Sequence, residues 1–278
     1  MSPFAPADNA HSCSPLILTL ALPKICQLPK LRYCIEDMLI NRVIQPLQDR
    51  ALCAVVFDLD GTLCYYATSI EQAMTDALQR VGAPPDLIGD LPLAADRYAD
   101  LWYELQEDHK STTSLRERIW ISLLAEHGID DKALAHKLSD VYIGLRTASL
   151  VLFDGVLPLL SDLAEKYSLG LLTNGPGDLQ WEKIKLLGVE SYFDAIIVSG
   201  DMGIHKPDSR LFGSLLQQLD APASKAVYVG NSYEMDIIGA SNAGMLSVWV
   251  NPDLEEEPRE RTADGIIAEV TELREILL

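Results

Sequence analysis

Five short runs of almost wholly apolar residues constrain this chain most: Leu52–Phe57, Leu169–Leu172, Ala195–Val198, Ala226–Val229 and Leu246–Val250. A strand covered on both faces has no solvent side, so it reads as a continuous apolar run and not as an alternation. Helical periodicities lie between the runs. Val156, Leu159, Leu160, Leu163 and Tyr167 share one helix face, as do Leu211, Leu215, Leu216 and Leu219. Strand alternating with helix predicts an α/β fold: a Rossmann-like parallel sheet joined by right-handed crossovers.

One stretch breaks the alternation. Residues 66–150 hold no strand-like run. Their apolar positions recur at helical spacing, as in Ile70, Ala73, Met74, Ala77, Leu78 and Val81, then around Leu115 to Leu124 and Leu134 to Leu145. The reading is a core formed by residues 51–65 and 151–278, with 66–150 inserted as an α-helical cap. Pro84-Pro85 and Gly89 to Pro92 read as breaks within that cap. Residues 1–50 read as a poorly ordered extension, because Pro3, Pro6, Pro15, Pro23 and Pro29 interrupt every potential element. Met38 is another conceivable start. The run Leu16–Leu22 is too short to cross a bilayer. Near the far end, Gly265–Ala268 reads as a strand before a terminal helix.

Charge narrows the partners. The chain has 22 basic and 41 acidic residues, a net charge of −19. Such a surface repels nucleic acid and anionic membranes, so neither is expected as a partner. The five cysteines form no CxxC pair, which argues against a disulfide framework or a zinc site and suits a reducing, cytoplasmic setting. Oligomeric state is not legible in the sequence.

Open α/β sheets bind ligands beyond the carboxyl ends of their strands. Asp58 and Asp60 follow the first run, and Thr173, Asn174 and Gly175 the second. Lys206-Pro207 follows the third, and Gly230-Asn231-Ser232 with Asp236 the fourth. Two carboxylates and a third oxygen ligand suit Mg²⁺. A carboxylate can attack phosphorus, and a second can protonate the leaving oxygen and then activate water. A lysine and a hydroxyl can hold the phosphoryl oxygens.

These segments resemble the four ordered motifs of the haloacid dehalogenase superfamily: Asp58-Leu-Asp60-Gly-Thr-Leu63, Thr173-Asn-Gly175, Lys206-Pro-Asp208 and Gly230-Asn-Ser-Tyr-Glu-Met-Asp236. The resemblance spans about residues 52 to 252, and the helical insertion is similar to that superfamily's type-one cap. It implies an Mg²⁺-dependent phosphatase with Asp58 as nucleophile and metal ligand. Asp60 would be the general acid and base, its main-chain carbonyl on the metal. Thr173, Asn174 and Gly175 would bind the phosphoryl group, and Lys206 would neutralise charge on it. Asn231 and Asp236 would complete the metal site. Asn231 departs from the family's usual Asp, which predicts weaker metal binding. Asp60 speaks against dehalogenation, since the family's dehalogenases lack that acid. A phosphomutase shares both acids, and a catalytically silent binding protein is the alternative from another class. The implied substrate is a small phosphorylated metabolite of the sugar phosphate or nucleoside monophosphate type. Arg116 and Arg118, with Lys110, are the cap's candidate substrate cations, and Cys64-Tyr65-Tyr66 a candidate substrate wall.

Overall fold

The computed structural model describes residues 47, 51–105, 112–253, 255 and 263–278. The expected extension over residues 1–50 lies outside them except for Leu47, and so does Lys110.

The chain enters through β1 (Ala54–Phe57), whose four residues are all buried. β2 (Cys64–Tyr66) follows at once, then four helices: α1 (Ile70–Val81), α2 (Leu91–Leu105), α3 (Thr112–Glu126) and α4 (Lys132–Ala148). β3 (Leu150–Leu152) leads back into α5 (Val156–Ala164), β4 (Ser168–Thr173), α6 (Gly177–Leu187), β5 (Ala195–Val198), α7 (Ser199–Met202) and α8 (Ser209–Gln218). The last part comprises β6 (Ala226–Gly230), a π-helical turn at Tyr233–Ile238, α9 (Gly239–Asn242), β7 (Leu246–Val250), β8 (Gly265–Ile267) and α10 (Leu273–Leu277).

Six strands form one parallel sheet in the order β5-β4-β1-β6-β7-β8. The α/β Rossmann-like reading holds. After β1 the chain adds β4 and β5 on one side, then crosses back to place β6 on the other. The strand order therefore reverses at β1, and the carboxyl ends of β1, β4 and β6 open on the same crevice. Side chains alternate across the sheet. Val55 and Phe57 join a cluster with Leu159, Leu163 and Leu273, while Ala54 and Val56 join Phe212, Leu215 and Tyr228 on the opposite face. Burying each large apolar side chain contributes roughly 1.5–3 kcal/mol.

The four helices of the insertion share a separate core containing Met74, Leu101, Ile119, Trp120, Leu138 and Tyr142. Ser69 caps α1 by accepting from the Gln72 N–H, and Asp131 caps α4 by accepting from the Leu134 N–H.

The structure differs from the sequence reading in two places. The Gly89–Pro92 break is narrower than expected, because Pro92 lies inside the first turn of α2, where its missing N–H leaves no bond unmade. The insertion also rises from a small antiparallel pair, with Cys64 opposite Leu152 and Tyr66 opposite Leu150. Strands of three residues carry too few side chains for periodicity to reveal them.

Candidate active site

Asp58 stands directly after β1, and its N–H donates to the Val229 carbonyl of β6 at 2.9 Å. That bond keeps the exit from β1 tied to the neighbouring strand. The Asp58 side chain is almost enclosed. Lys206 Nζ donates to Asp58 Oδ1 at 2.7 Å, to Asp236 Oδ1 at 2.7 Å and to the Tyr228 hydroxyl at 2.9 Å. An ammonium has three donors, and these acceptors take all of them. The Tyr228 hydroxyl donates in turn to the Leu172 carbonyl at 2.9 Å.

One buried cation thus faces two buried carboxylates. Burial pushes the Asp58 carboxyl up to about 7, Lys206 opposes that rise and Asp236 adds to it. Burial pulls the Lys206 ammonium down, but Asp236 and Asp58 together outweigh it and leave Lys206 above its ordinary value. Asp58 Oδ2 has no hydrogen bond from any described residue, so one lone-pair face stays open to a cation or a substrate.

Asn231 reaches this cluster through two constraints. Gly61 has φ +79°, and a Cβ there would stand 2.4 Å from Asn231 Nδ2, so only glycine permits the approach. The Trp249 indole N–H donates to the Asn231 carbonyl at 2.9 Å. Thr62 Oγ1 donates weakly to Asn231 Oδ1 at 3.4 Å.

Asp236, expected at the metal site directly or through water, faces Lys206 in this structure. It has no exposure, Lys206 occupies its Oδ1, and its Oδ2 accepts from the Ser232 N–H at 2.9 Å. Its contact with Lys206 Nζ helps to hold that lysine in position. Gly230 allows this, since a Cβ there would lie 2.3 Å from Asp236 Oδ2. Among the described residues, no three His, Cys, Asp or Glu side chains converge as a metal cluster. The donors that fit a hard cation are oxygens: Asp58 Oδ2, Asn231 Oδ1 and the main chain around Asp60.

Asp60 faces a different partner set. Lys183 Nζ donates to both its carboxylate oxygens at 2.8 Å, and Gln180 Nε2 donates to Oδ2 at 2.9 Å. Burial lowers the Lys183 ammonium, but the Asp60 carboxylate outweighs that and raises it. Gln180 also contacts Thr173 Oγ1 at 2.6 Å. The sequence reading missed both Gln180 and Lys183. The available signal was their spacing, since residues i and i+3 on α6 share one face.

Thr173 is buried at the end of β4, beside Gln180. Asn174 sits next to it, but its side chain is committed elsewhere. Its Oδ1 accepts from the Lys206 N–H at 2.9 Å and its Nδ2 donates to the Lys206 carbonyl at 3.2 Å. This pair of bonds fixes the Lys206 loop. Gly175 N–H is likewise used, donating to Ser199 Oγ at 3.1 Å. The Gly175 N–H and one of the two Asn174 Nδ2 hydrogens are thus engaged within the protein, and the second Asn174 amide hydrogen has no acceptor among the described residues. His205 is exposed, and its Nδ1 lies 2.8 Å from Ser199 Oγ.

A cavity of about 480 Å³ lies between the sheet and the helical insertion. Asp60, Gly61, Asn174 and Gly175 mark its sheet end. Cys64, Tyr65 and Tyr66 line it as expected, and so does Arg116. Arg118 does not. It is two residues from Arg116 on α3, a rotation of roughly 200°, so it points to solvent.

A family model described as a haloacid dehalogenase-like hydrolase matches residues 53–244. A glyceraldehyde 3-phosphate phosphatase of Methanothermobacter thermautotrophicus is 30% identical, over 81% of this chain and 100% of its own. The N-acylneuraminate-9-phosphatase of Mus musculus is also 30% identical, over 71% of this chain and 82% of its own. Among solved structures, a 2-haloacid dehalogenase from Pseudomonas syringae superposes with a TM-score of 0.60 at 29% identity, covering 81% of this chain and 98% of that one. The HAD-hydrolase YfnB of Bacillus subtilis bound to magnesium shares the fold, with a TM-score of 0.64 at 24% identity over 82% of this chain and 99% of that one.

Proposed function

The chain belongs to the haloacid dehalogenase-like hydrolases, and from that premise we propose that it is an Mg²⁺-dependent phosphatase of small phosphorylated metabolites. The residues 51–65 and 151–278 serve as its catalytic core and 66–150 as its cap. The observation that carries this reading is Asp60. Two residues beyond the buried Asp58, it puts a second carboxylate on the cavity wall, where a leaving oxygen needs a proton donor. That acid favours phosphate ester hydrolysis over dehalogenation.

Asp58 attacks the phosphorus, the ester P–O bond breaks, and the leaving oxygen takes a proton from Asp60. Asp60, now a carboxylate, removes a proton from water as that water attacks the phosphorus of the aspartyl phosphate. Phosphate leaves and Asp58 is restored. Lys206 balances the charge on Asp58 and the phosphoryl group, and Lys183 steadies Asp60 as a carboxylate for the hydrolytic half. Asp58, Asn231 and the Asp60 carbonyl are the residues that would hold Mg²⁺. The bound cation would neutralise phosphoryl oxygens and draw them toward the nucleophile.

The test is hydrolysis of p-nitrophenyl phosphate with and without Mg²⁺. Turnover is expected with Mg²⁺ and should stop with EDTA. Activity that EDTA leaves untouched would remove the metal from the reading. Complete silence would favour a binding role, the alternative that Asn231 motivates. Apparent Mg²⁺ affinity should also rise as pH passes through about 7, because the metal must displace the proton that burial holds on Asp58.

Asn231→Asp provides a second check. It adds a full negative charge to a neutral oxygen ligand, and the half-saturating Mg²⁺ concentration should fall by about tenfold, or 1.4 kcal/mol. An unchanged magnesium titration would take Asn231 out of the metal site.

A further inference from the structure

The cavity carries a charge that the proposed chemistry does not use. Four of its wall residues ionise: Asp60, Lys183, Arg116 and Arg146. Asp60 and Lys183 neutralise each other. The two guanidiniums remain, both from the helical insertion, and no carboxylate of the described residues pairs with either. This is unusual for a segment holding 8 basic and 14 acidic residues. Arg116 is 94% buried on α3 with its guanidinium over the Trp102 ring at 5.9 Å. Arg146 on α4 lies over the Tyr66 ring at 3.8 Å and donates one N–H to the Thr68 carbonyl. The Tyr66 ring covers one face of the Arg146 guanidinium, and among the described residues most edge N–H groups of the two arginines have no acceptor.

Two phenols stand beside them. The Tyr98 hydroxyl is enclosed and makes no hydrogen bond of good geometry to any described residue, the nearby Tyr142 ring lying 4.9 Å away centroid to centroid. Burial keeps both phenols protonated, against the downward pull of the two arginines. Among the described residues Arg116 has no counter-ion and the Tyr98 hydroxyl no well-formed hydrogen bond; each is costly when buried, and both are relieved by one anion between them.

We propose that the cap end of this cavity is an anion subsite, formed by Arg116, Arg146 and the Tyr98 hydroxyl, and that the substrate is a phosphate monoester bearing a second anionic group. The group is a carboxylate or a second phosphate, since both present oxygens in the plane that a guanidinium fork matches. The assignment rests on the phosphatase reading, because it takes the Asp58–Asp60 end as the seat of the scissile phosphate. It explains how a chain of net charge −19 accepts a polyanionic ligand: the local charge is positive at the end remote from the nucleophile.

The experiment compares matched pairs. With the wild-type enzyme, kcat/KM for 3-phosphoglycerate should exceed that for glycerol 3-phosphate by at least about tenfold. Fructose 1,6-bisphosphate against fructose 6-phosphate forms the second pair, and whichever pair shows the preference identifies the second anion. Arg116→Gln should collapse that ratio toward one, and Arg146→Lys, which keeps the charge but loses the fork, should reduce it in the same direction. Equal treatment of charged and neutral members in both pairs overturns the subsite. A binding arm needs no turnover: calorimetry on the Asp58→Asn protein should give the same ordering of affinities, lost with Arg116→Gln added. If no monoester is hydrolysed but this ordering persists, the phosphatase reading falls and the subsite stands. If hydrolysis proceeds with no preference in either arm, the subsite falls and the phosphatase reading stands.

Discussion

Lys206→Met is expected to cost about 3–5 kcal/mol of stability at neutral pH, with a fall in melting temperature on the order of 10 °C. The reason is what remains behind. Asp58 and Asp236 would be left buried without their shared cation, and the hydrogen bond from the Ser232 N–H cannot neutralise two charges. The sign of the pH dependence is fixed by the same geometry. Lys206 opposes the rise that burial imposes on the Asp58 carboxyl, so removing it pushes that carboxyl further up and destabilises the protein where the group must ionise. The deficit should be largest above pH 7 and shrink toward pH 5, where protonation relieves it. Thermal melts of the variant at both pH values check this. Adding Asp236→Asn should recover part of the loss. A variant that melts with the wild type at pH 8 would show that Lys206 is not the cation holding this cluster together.

Asp58→Asn should behave in the opposite way. Turnover of p-nitrophenyl phosphate is expected to fall by on the order of 10⁴-fold or more, since the residue that forms the covalent bond is gone. Stability should not fall. Burial has already pushed the Asp58 carboxyl up to about 7, so at pH 8 its ionised form opposes folding. A neutral amide of the same size removes that opposition and leaves Lys206 paired with Asp236 alone. The melting temperature at pH 8 should match or exceed the wild type. Near-full activity in this variant would sink the nucleophile assignment. Activity loss accompanied by unfolding would point to a structural role instead.

Much of this site was legible in the sequence because its chemistry sits in short, contiguous segments at strand ends. Asp58-Leu-Asp60-Gly61 is such a segment: a buried strand must end there, and the glycine's left-handed backbone lets Asn231 approach. Gln180 and Lys183 were less legible. They look like ordinary helix residues, and nothing in α6 says that its face turns toward Asp60, more than a hundred positions earlier. Asp236 was only half legible for a related reason. Sequence places it near the site, but whether its oxygens face a metal or a lysine depends on how the π-helical turn folds back. Arg116 and Arg118 were indistinguishable by composition, and the helix rotation between them separates wall from solvent.

The sequence alone determined the layered α/β fold and the order in which chemical groups meet the sheet. Both follow from local patterns: doubly buried strands need apolar runs, and crossover topology brings their ends together. The tertiary structure decided which charge neutralises which. Lys206 serves Asp58 and Asp236, Lys183 serves Asp60, and the cap arginines are left for a ligand. Such pairings depend on distances of a few ångströms between residues far apart in the chain. Coulomb energy in a buried site varies steeply over that range, and linear spacing does not encode it.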